Sequence, residues 1–291
     1  SMKLKSFLRK AESVLNRLDA WLPPETREPD WNAAAFRWQK AGNKGILESL
    51  PAPHTFPLSR LAAVDSQTAK LVRNTEQFLA GRPANNVLLT GSRGTGKSSL
   101  VKALLHEYGS NGLRLIEVDK SDLTALPALL QLLASRPEKF IVFCDDLSFE
   151  DGEDGYKALK TALDGGLSQR CANVLVYATS NRRHLMPEYM DENTGHTGVR
   201  GEVHAKEAVE EKISLSDRFG LWLSFYPFDQ NDYLQAVANW LEYYGVDFDD
   251  TAQRAALNWS QMRGGRSGRV AWQFACDWAG RLPQDRSLNL G

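Results

Sequence analysis

A glycine-rich stretch in the first third of the chain has the residue types and the spacing of a phosphate-binding loop. Its residues are Gly91, Ser92, Arg93, Gly94, Thr95, Gly96, Lys97 and Ser98, and Ser99 follows it. Glycines allow the main chain to turn sharply and to point its N–H groups inward at a phosphate. The pattern, G-x-x-x-x-G-K-[ST], predicts that Lys97 reaches the β- and γ-phosphates of a nucleotide and that the Ser98 hydroxyl binds Mg²⁺.

The segments on both sides of this P-loop fit such a site. The short apolar run over 86–90 suits a buried parallel strand. After the loop, Leu100, Leu104, Leu105 and Tyr108 recur at helical spacing. The alternative, an ordinary glycine-rich turn, does not explain why the motif lies between a strand and a helix.

A pair of acids is the second candidate for this chemistry. The apolar run 141–144 predicts a buried strand, and Asp145 and Asp146 follow at its carboxyl end, where ligands bind in parallel sheets. We predict that Asp145 binds Mg²⁺, directly or through water, and that Asp146 orients or deprotonates the attacking water. The alternative is that both acids only cap the next segment.

Small polar residues end another apolar strand pattern, which covers 174–178. Thr179 and Asn181 follow it, and either side chain is a candidate contact for the γ-phosphate or for the water. A plain polar turn is the alternative.

Two arginines complete the set of candidates. Arg218 lies just before the fifth predicted strand, where it either pairs with Asp217 or reaches the nucleotide of a neighbouring subunit. Arg269 follows a glycine-containing turn and lies near the first turn of a predicted helix. Because the helix dipole disfavours a cation there, we predict an anionic partner for Arg269; a basic surface turn is the alternative.

The sequence predicts alternating strands and helices that would position these candidates. Strands are predicted over 87–90, 113–118, 140–144, 174–178 and 221–225, and helices between them over 98–108, 123–134, 156–167 and 205–212. The alternation predicts an α/β fold with a five-stranded parallel sheet covered by helices on both faces. A further helix is predicted over 65–79, and three more follow the last strand, over 231–244, 251–262 and 267–278. We therefore divide the chain into an N-terminal extension (1–55), an α/β nucleotide-binding domain (56–227) and a small helical domain (228–291).

The N-terminal extension has its own pattern. Leu4, Leu8, Ala11, Leu15, Leu18 and Leu22 alternate steps of four and three residues. This spacing predicts an amphipathic helix that packs on its own domain or, alternatively, on a partner. Residues 23–60 contain Trp31, Phe36 and Trp38, and we predict an irregular segment strapped onto the core.

Composition excludes several other classes. The 291 residues carry a net charge of −1, which does not favour nucleic-acid binding, although nucleic acid stays a candidate partner. The sequence has no secretory signal and no apolar run of roughly 18 residues, so we expect a cytoplasmic protein without a transmembrane segment. The three cysteines lack metal-ligand spacing, and Cys144 and Cys276 lie in apolar surroundings that predict buried thiols.

The order of these parts resembles the AAA+ ATPases, over roughly residues 55–280. The sequence is similar to a bacterial AAA+ family of unknown function and, more distantly, to initiator and helicase-loader proteins. The resemblance implies that 91–98 is Walker A and that Asp145 and Asp146 form Walker B. It also implies that Asn181 is sensor 1, Arg218 the arginine finger and Arg269 sensor 2. Val64 lies in a stretch that resembles the segment lining the adenine pocket.

The resemblance implies ATP or ADP and Mg²⁺ as cofactors, ATP hydrolysis, and a homo-oligomer in which Arg218 acts in trans on an unidentified client. One departure is that Asp146 stands where AAA+ proteins usually have glutamate, which is longer by one methylene. Glu150 is a rival base. Slow hydrolysis would suit a second hypothesis, a nucleotide-gated binding module that docks a partner through the N-terminal helix or the polar segment 182–212. A helicase-loader-like factor associated with DNA is a third.

Overall fold

The computed structural model describes residues 13–14, 28–41, 44–147, 154–164, 172–181 and 215–286. Four features singled out in the sequence lie outside these ranges. They are the leucine stripe of the N-terminal helix, Glu150, the segment 182–212 and the helix predicted over 205–212.

A seven-stranded sheet forms the centre of the described structure. Its strands are β1 (Ala35–Ala41), β2 (Lys44–Leu50), β3 (Val87–Gly91), β4 (Leu113–Val118), β5 (Lys139–Cys144), β6 (Val174–Ser180) and β7 (Leu221–Phe225). The order across the sheet is β2-β1-β4-β5-β6-β3-β7. All neighbours are parallel except β1 and β2, which form an antiparallel hairpin. The predicted α/β fold with a parallel sheet is confirmed, with strands β3 to β7 where we expected them.

The hairpin β1–β2 corrects two predictions, the strand count of five and the irregular conformation of 23–60. Phe36 and Trp38 are buried, at 1% and 6% exposure, while Arg37 and Gln39 between and after them are exposed. This alternation is the signature of a strand with one buried face. β1 pairs with β4 in parallel. The aromatic side chains of β1 are therefore part of the main core and do not cover it from outside.

Seven α-helices of eight or more residues lie in the described ranges. They are α1 (Asp65–Leu79), α2 (Lys97–Tyr108), α3 (Leu126–Ala134), α4 (Asp154–Asp164), α5 (Gln230–Tyr243), α6 (Asp250–Met262) and α7 (Gly268–Gly280). The last three begin at side-chain caps on Asp229, Asp249 and Ser267, which accept hydrogen bonds from main-chain N–H groups left free in the first turn. We call α5, α6 and α7 the lid helices.

Apolar side chains cover both faces of the sheet. One cluster packs α3 and α4 against the face that carries Phe140 and Val142. The other packs α1 and α2 against the face that carries Ile141 and Phe143. Because successive residues of β5 are buried on opposite faces, this strand is apolar from Phe140 to Cys144, as expected for a strand between two helix layers.

A third cluster joins the lid helices to the segment that precedes α1. Tyr233, Trp240 and Phe274 belong to it, together with Phe56 and Ala62. Cys276 of α7 is exposed, so the prediction of a buried thiol was wrong there, because this residue lies on the helix face away from Phe274; Cys144 is buried as expected. In the ranges that the structure describes, no helix is long and apolar enough to cross a bilayer.

Candidate functional site

A cavity of about 770 Å³ lies at the carboxyl ends of β3, β5 and β6, between this edge of the sheet and the lid helices. One end has polar walls, formed by Arg93, Lys97, Ser98, Asp145, Asp146 and Asn181. The other end has largely apolar walls, formed by Phe56, Leu61, Ala62, Trp240 and Trp272 with Arg60 among them, while Phe228 lies beside Gly268. An amphipathic ligand with an anionic group and a flat ring fits this division.

The P-loop depends on its glycines. Gly91, Gly94 and Gly96 have φ angles of +135°, +76° and +96°, a region that other residues rarely adopt. A Cβ atom on Gly91 would lie 2.1 Å from the carbonyl oxygen of Phe225, so the sheet leaves no room for a side chain there. The loop leads directly into α2, and the N-terminus of that helix faces the polar end of the cavity.

Lys97 is 5% exposed and its ammonium group donates three hydrogen bonds. The acceptors are the carbonyl oxygens of Gly91 at 2.7 Å and Ser92 at 2.8 Å, and Oδ1 of Asn181 at 3.1 Å. Burial lowers the pKa of Lys97 from its ordinary value, and the nearby carboxylates of Asp145 and Asp146 oppose this shift. The ammonium group is thus held at the base of the loop and is linked to the end of β6.

Ser98 and Asp145 lie side by side. The Ser98 hydroxyl donates to Oδ1 of Asp145 at 2.6 Å, and the Thr179 hydroxyl donates to the same oxygen at 2.6 Å. A carboxylate and a hydroxyl that converge at one point offer the hard oxygen ligands that Mg²⁺ prefers. Together with the Lys97 ammonium group and the N-terminus of α2, these residues fit a magnesium–phosphate group.

Asp146 is held in a conformation that is unusual for a non-glycine residue, with a φ angle of +54°. Its main-chain N–H donates to Oγ1 of Thr179 at 2.9 Å, which fixes it against the end of β6. Its Oδ1 accepts a hydrogen bond from Nδ2 of Asn181, and its Oδ2 lies 3.7 Å from Nη2 of Arg93. Lys97, Asn181 and Asp146 therefore form one connected polar network.

Arg269 reaches the cavity because the lid contacts the P-loop. The main-chain N–H of Gly268 donates to the carbonyl oxygen of Gly94 at 2.7 Å, and Arg269 lines the cavity next to this contact. Ser267 caps α7 by accepting from the N–H of Val270 at 3.2 Å. An arginine in the first turn of a helix is unfavourable without an anion, and here it faces the polar end of a cavity.

Of the predicted site residues, Gly91, Ser92 and Thr95 belong to the P-loop without lining the cavity, and Val64 and Arg218, outside the loop, do not line it either. Val64 is buried beneath the P-loop at the start of α1, and its neighbours Leu61 and Ala62 line the cavity instead. Arg218 is not among the lining residues; its Nε atom lies 2.5 Å from Oδ1 of Asp164, at the end of α4.

Sequence reasoning did not identify the aromatic end of the cavity. Trp240 comes from α5 and Trp272 from α7, while Phe56 precedes α1. For Trp272 a signal existed, because it follows Arg269 by three residues and therefore shares its helix face. From the sequence we predicted that Thr179 contacts the γ-phosphate or the water. Its hydrogen bonds to the Asp145 carboxylate and to the Asp146 main chain were not predicted.

The fold recurs in solved structures. The chain aligns with the RuvB Holliday junction branch migration motor of Thermotoga maritima (TM-score 0.50, 14% identity, 78% of this chain). It also aligns with Aeropyrum pernix ORC1 in complex with DNA (TM-score 0.52, 17% identity, 73% of this chain). A third alignment is with the replication initiator DnaA bound to AMPPCP and single-stranded DNA (TM-score 0.51, 14% identity, 78% of this chain). It spans 65%, 58% and 65% of those chains, less than two thirds of each.

These three neighbours are AAA+ proteins, and at such identities the likeness extends to the fold. No curated protein matches the sequence. The model of one protein family matches residues 31–282, which include β1 to β7 and α1 to α7. The chain has an AAA+ P-loop fold and belongs to the family described as "Protein of unknown function (DUF815)".

Proposed function

We propose that this protein binds ATP and ADP with Mg²⁺ in the cavity, and that it hydrolyses ATP when copies of the chain assemble. One observation carries the proposal. Lys97, the Ser98–Asp145 pair and the Asn181–Asp146 pair converge at the polar end of one cavity whose other end is aromatic. This is the arrangement that a phosphate chain joined to a base requires.

We assign each residue of the site a role in binding or hydrolysis. The P-loop main chain, from Gly91 to Ser99, would hold the phosphates, and Lys97 would exchange its carbonyl partners for phosphate oxygens. Ser98 and Asp145 would hold Mg²⁺, which when bound neutralises charge on the phosphate oxygens. Asp146 would accept a proton from the attacking water, Asn181 would orient that water, and Arg269 would bind phosphate from the lid.

Arg218 would act on the site of a neighbouring copy. It does not line the cavity of its own chain, and the turn that carries it is fixed by a hydrogen bond from its main-chain N–H to Leu215 at 3.1 Å. An arginine on a rigid turn outside its own site suits a contribution in trans. We therefore propose a homo-oligomer that acts on a protein or nucleoprotein client.

The test is steady-state ATP hydrolysis measured against protein concentration. Lys97→Ala should abolish hydrolysis, and Arg218→Ala should lower it by a factor on the order of 10³ and remove its dependence on concentration. Arg281→Ala is the matched control, because Arg281 is 23% exposed and pairs with Asp277 at 2.7 Å much as Arg218, 24% exposed, pairs with Asp164. Undiminished hydrolysis in Lys97→Ala would refute the site, and wild-type behaviour of Arg218→Ala would refute the role in trans.

A nucleotide-gated binding module is the second candidate, and the surroundings of Asp146 favour it. Both oxygens of this short carboxylate face a partner, Asn181 on one side and Arg93 on the other. An attacking water would have to displace one of these partners before it could reach the carboxylate. Tight nucleotide binding without phosphate release, at any protein concentration, would support this function; rapid turnover would exclude it.

A further inference from the structure

We propose that Arg93 makes the site respond to the third phosphate. Its guanidinium pairs with Asp146; when a nucleoside triphosphate binds, Arg93 would move onto the terminal phosphate and release Oδ2 of Asp146 for the attacking water. The inference rests on the proposed function, since it assigns a specific role within that nucleotide site. It makes Arg93 the residue that distinguishes ATP from ADP.

The first observation is that the Asp146 carboxylate is held from two sides. Asn181 donates to its Oδ1, and Nη2 of Arg93 lies 3.7 Å from its Oδ2. The left-handed main chain of Asp146, with φ at +54°, aims the carboxylate at these partners. Such a conformation costs free energy in a residue other than glycine and is concentrated at functional sites. Of the two partners, only Arg93 belongs to the loop that would hold the phosphates.

The second observation is that hydrogen bonds hold the main chain around Arg93 while its side chain is exposed. The Ser92 carbonyl accepts from Lys97 at 2.8 Å and from the Thr95 hydroxyl at 2.8 Å. The Gly94 carbonyl accepts from Gly268 at 2.7 Å. The Arg93 side chain is nevertheless 77% exposed, at the wall of the cavity. It can therefore change partners without any movement of the loop.

The third observation concerns charge. Arg93 and Lys97 lie at the same end of the cavity as Asp145 and Asp146. A third phosphate brings negative charge to this end, where it repels the Asp146 carboxylate and attracts a mobile cation. The Arg93 and Asp146 atoms are 3.7 Å apart and the side chains are 77% and 49% exposed, and such exposed pairs are weak. A phosphate that offers a charge-assisted hydrogen bond should displace it.

The experiment compares the binding of ADP and of a non-hydrolysable ATP analogue to the full chain, both with Mg²⁺. Arg93→Gln should weaken binding of the triphosphate roughly tenfold, the loss expected for one charge-assisted hydrogen bond, and should leave ADP within about twofold. Arg73→Gln is the matched control, because Arg73 is exposed on α1 and does not line the cavity. Equal losses for both nucleotides, or no loss for either, would overturn the inference.

A double-mutant cycle tests the exchange of partners itself. Asp146→Asn should tighten triphosphate binding several-fold, because Arg93 no longer has to leave a carboxylate. In the Arg93→Gln background the same change should have a clearly smaller effect. Equal effects in both backgrounds would contradict the exchange. Failure of the wild-type chain to bind either nucleotide would instead refute the proposed function, so the two outcomes are distinct.

Discussion

The main-chain N–H of Gly268 donates a hydrogen bond to the carbonyl oxygen of Gly94 at 2.7 Å. This bond joins the first turn of α7 to the P-loop, although the two residues are far apart in the sequence. It brings Arg269, the next residue of the helix, to the wall of the cavity. The position of the lid helices is thereby coupled to the loop that we propose binds phosphate.

The first prediction tests this contact with two matched glycines. Gly94 and Gly264 have φ angles of +76° and +71°; a Cβ on Gly94 would lie 2.7 Å from Cβ of Ser267, whereas one on Gly264 would meet nothing within 4 Å. Both alanine variants should lose about 1–2 kcal/mol of stability because of the left-handed main chain. Only Gly94→Ala should also lose nucleotide affinity, by roughly tenfold or more. Denaturant unfolding and nucleotide titration measure the two effects; equal affinities of the two variants would contradict the coupling.

The second prediction concerns Mg²⁺. Removing the ion with a chelator should weaken ATP binding by the wild-type chain roughly tenfold or more, since Ser98 and Asp145 would hold it. In Asp145→Ala the affinity should be low and should no longer respond to the chelator. Asp285→Ala is the control, because Asp285 is an exposed acid that does not line the cavity. A full response to the chelator in Asp145→Ala would place the ion elsewhere.

The third prediction separates the two candidate bases. Asp146→Asn should retain nucleotide binding and lose turnover by a factor of about 10²–10⁴, the usual contribution of a general base. Glu150→Gln should keep most of its turnover. The rates are measured at saturating ATP and at the protein concentration that gives the highest wild-type rate. The opposite pattern would assign the base to Glu150.

The fourth prediction concerns the hairpin β1–β2. A Cβ atom on Gly45 would lie 1.8 Å from Cζ2 of Trp38, so the indole covers the main chain of the neighbouring strand. Gly45→Ala should displace this ring and destabilise the protein by about 1–3 kcal/mol, as other overpacked core substitutions do. Gly280→Ala, where a Cβ would meet nothing within 4 Å, is the control and should be neutral or slightly stabilising. Thermal or denaturant unfolding gives both values.

Much of the fold follows from local patterns. The P-loop between an apolar run and a helical stripe predicted β3 and α2, and the apolar run before Asp145 predicted β5. These predictions succeed because strand and helix periodicity are properties of neighbouring residues. The hairpin was missed although Phe36 and Trp38 alternate with polar residues, because three aromatics near two prolines were interpreted as an irregular segment.

The partners within the site depend on contacts between distant residues. No local pattern shows that Thr179 holds both Asp145 and the main chain of Asp146, or that Asn181 bridges Asp146 to Lys97. These contacts exist because β5 and β6 are neighbours in a parallel sheet and end at the same edge. Sequence spacing identifies which residues are candidates and leaves their pairing open.

The sequence by itself determined the chemical inventory of this protein: a glycine loop with a lysine and a serine, two acids at a strand end, and the helices that follow. The tertiary structure decided how these groups are used. It turned Asp146 toward Asn181 and Arg93, and it placed α7 against the P-loop. The physical reason is that residue type and periodicity are encoded locally, whereas hydrogen bonds between strand ends and lid are formed only when the chain packs.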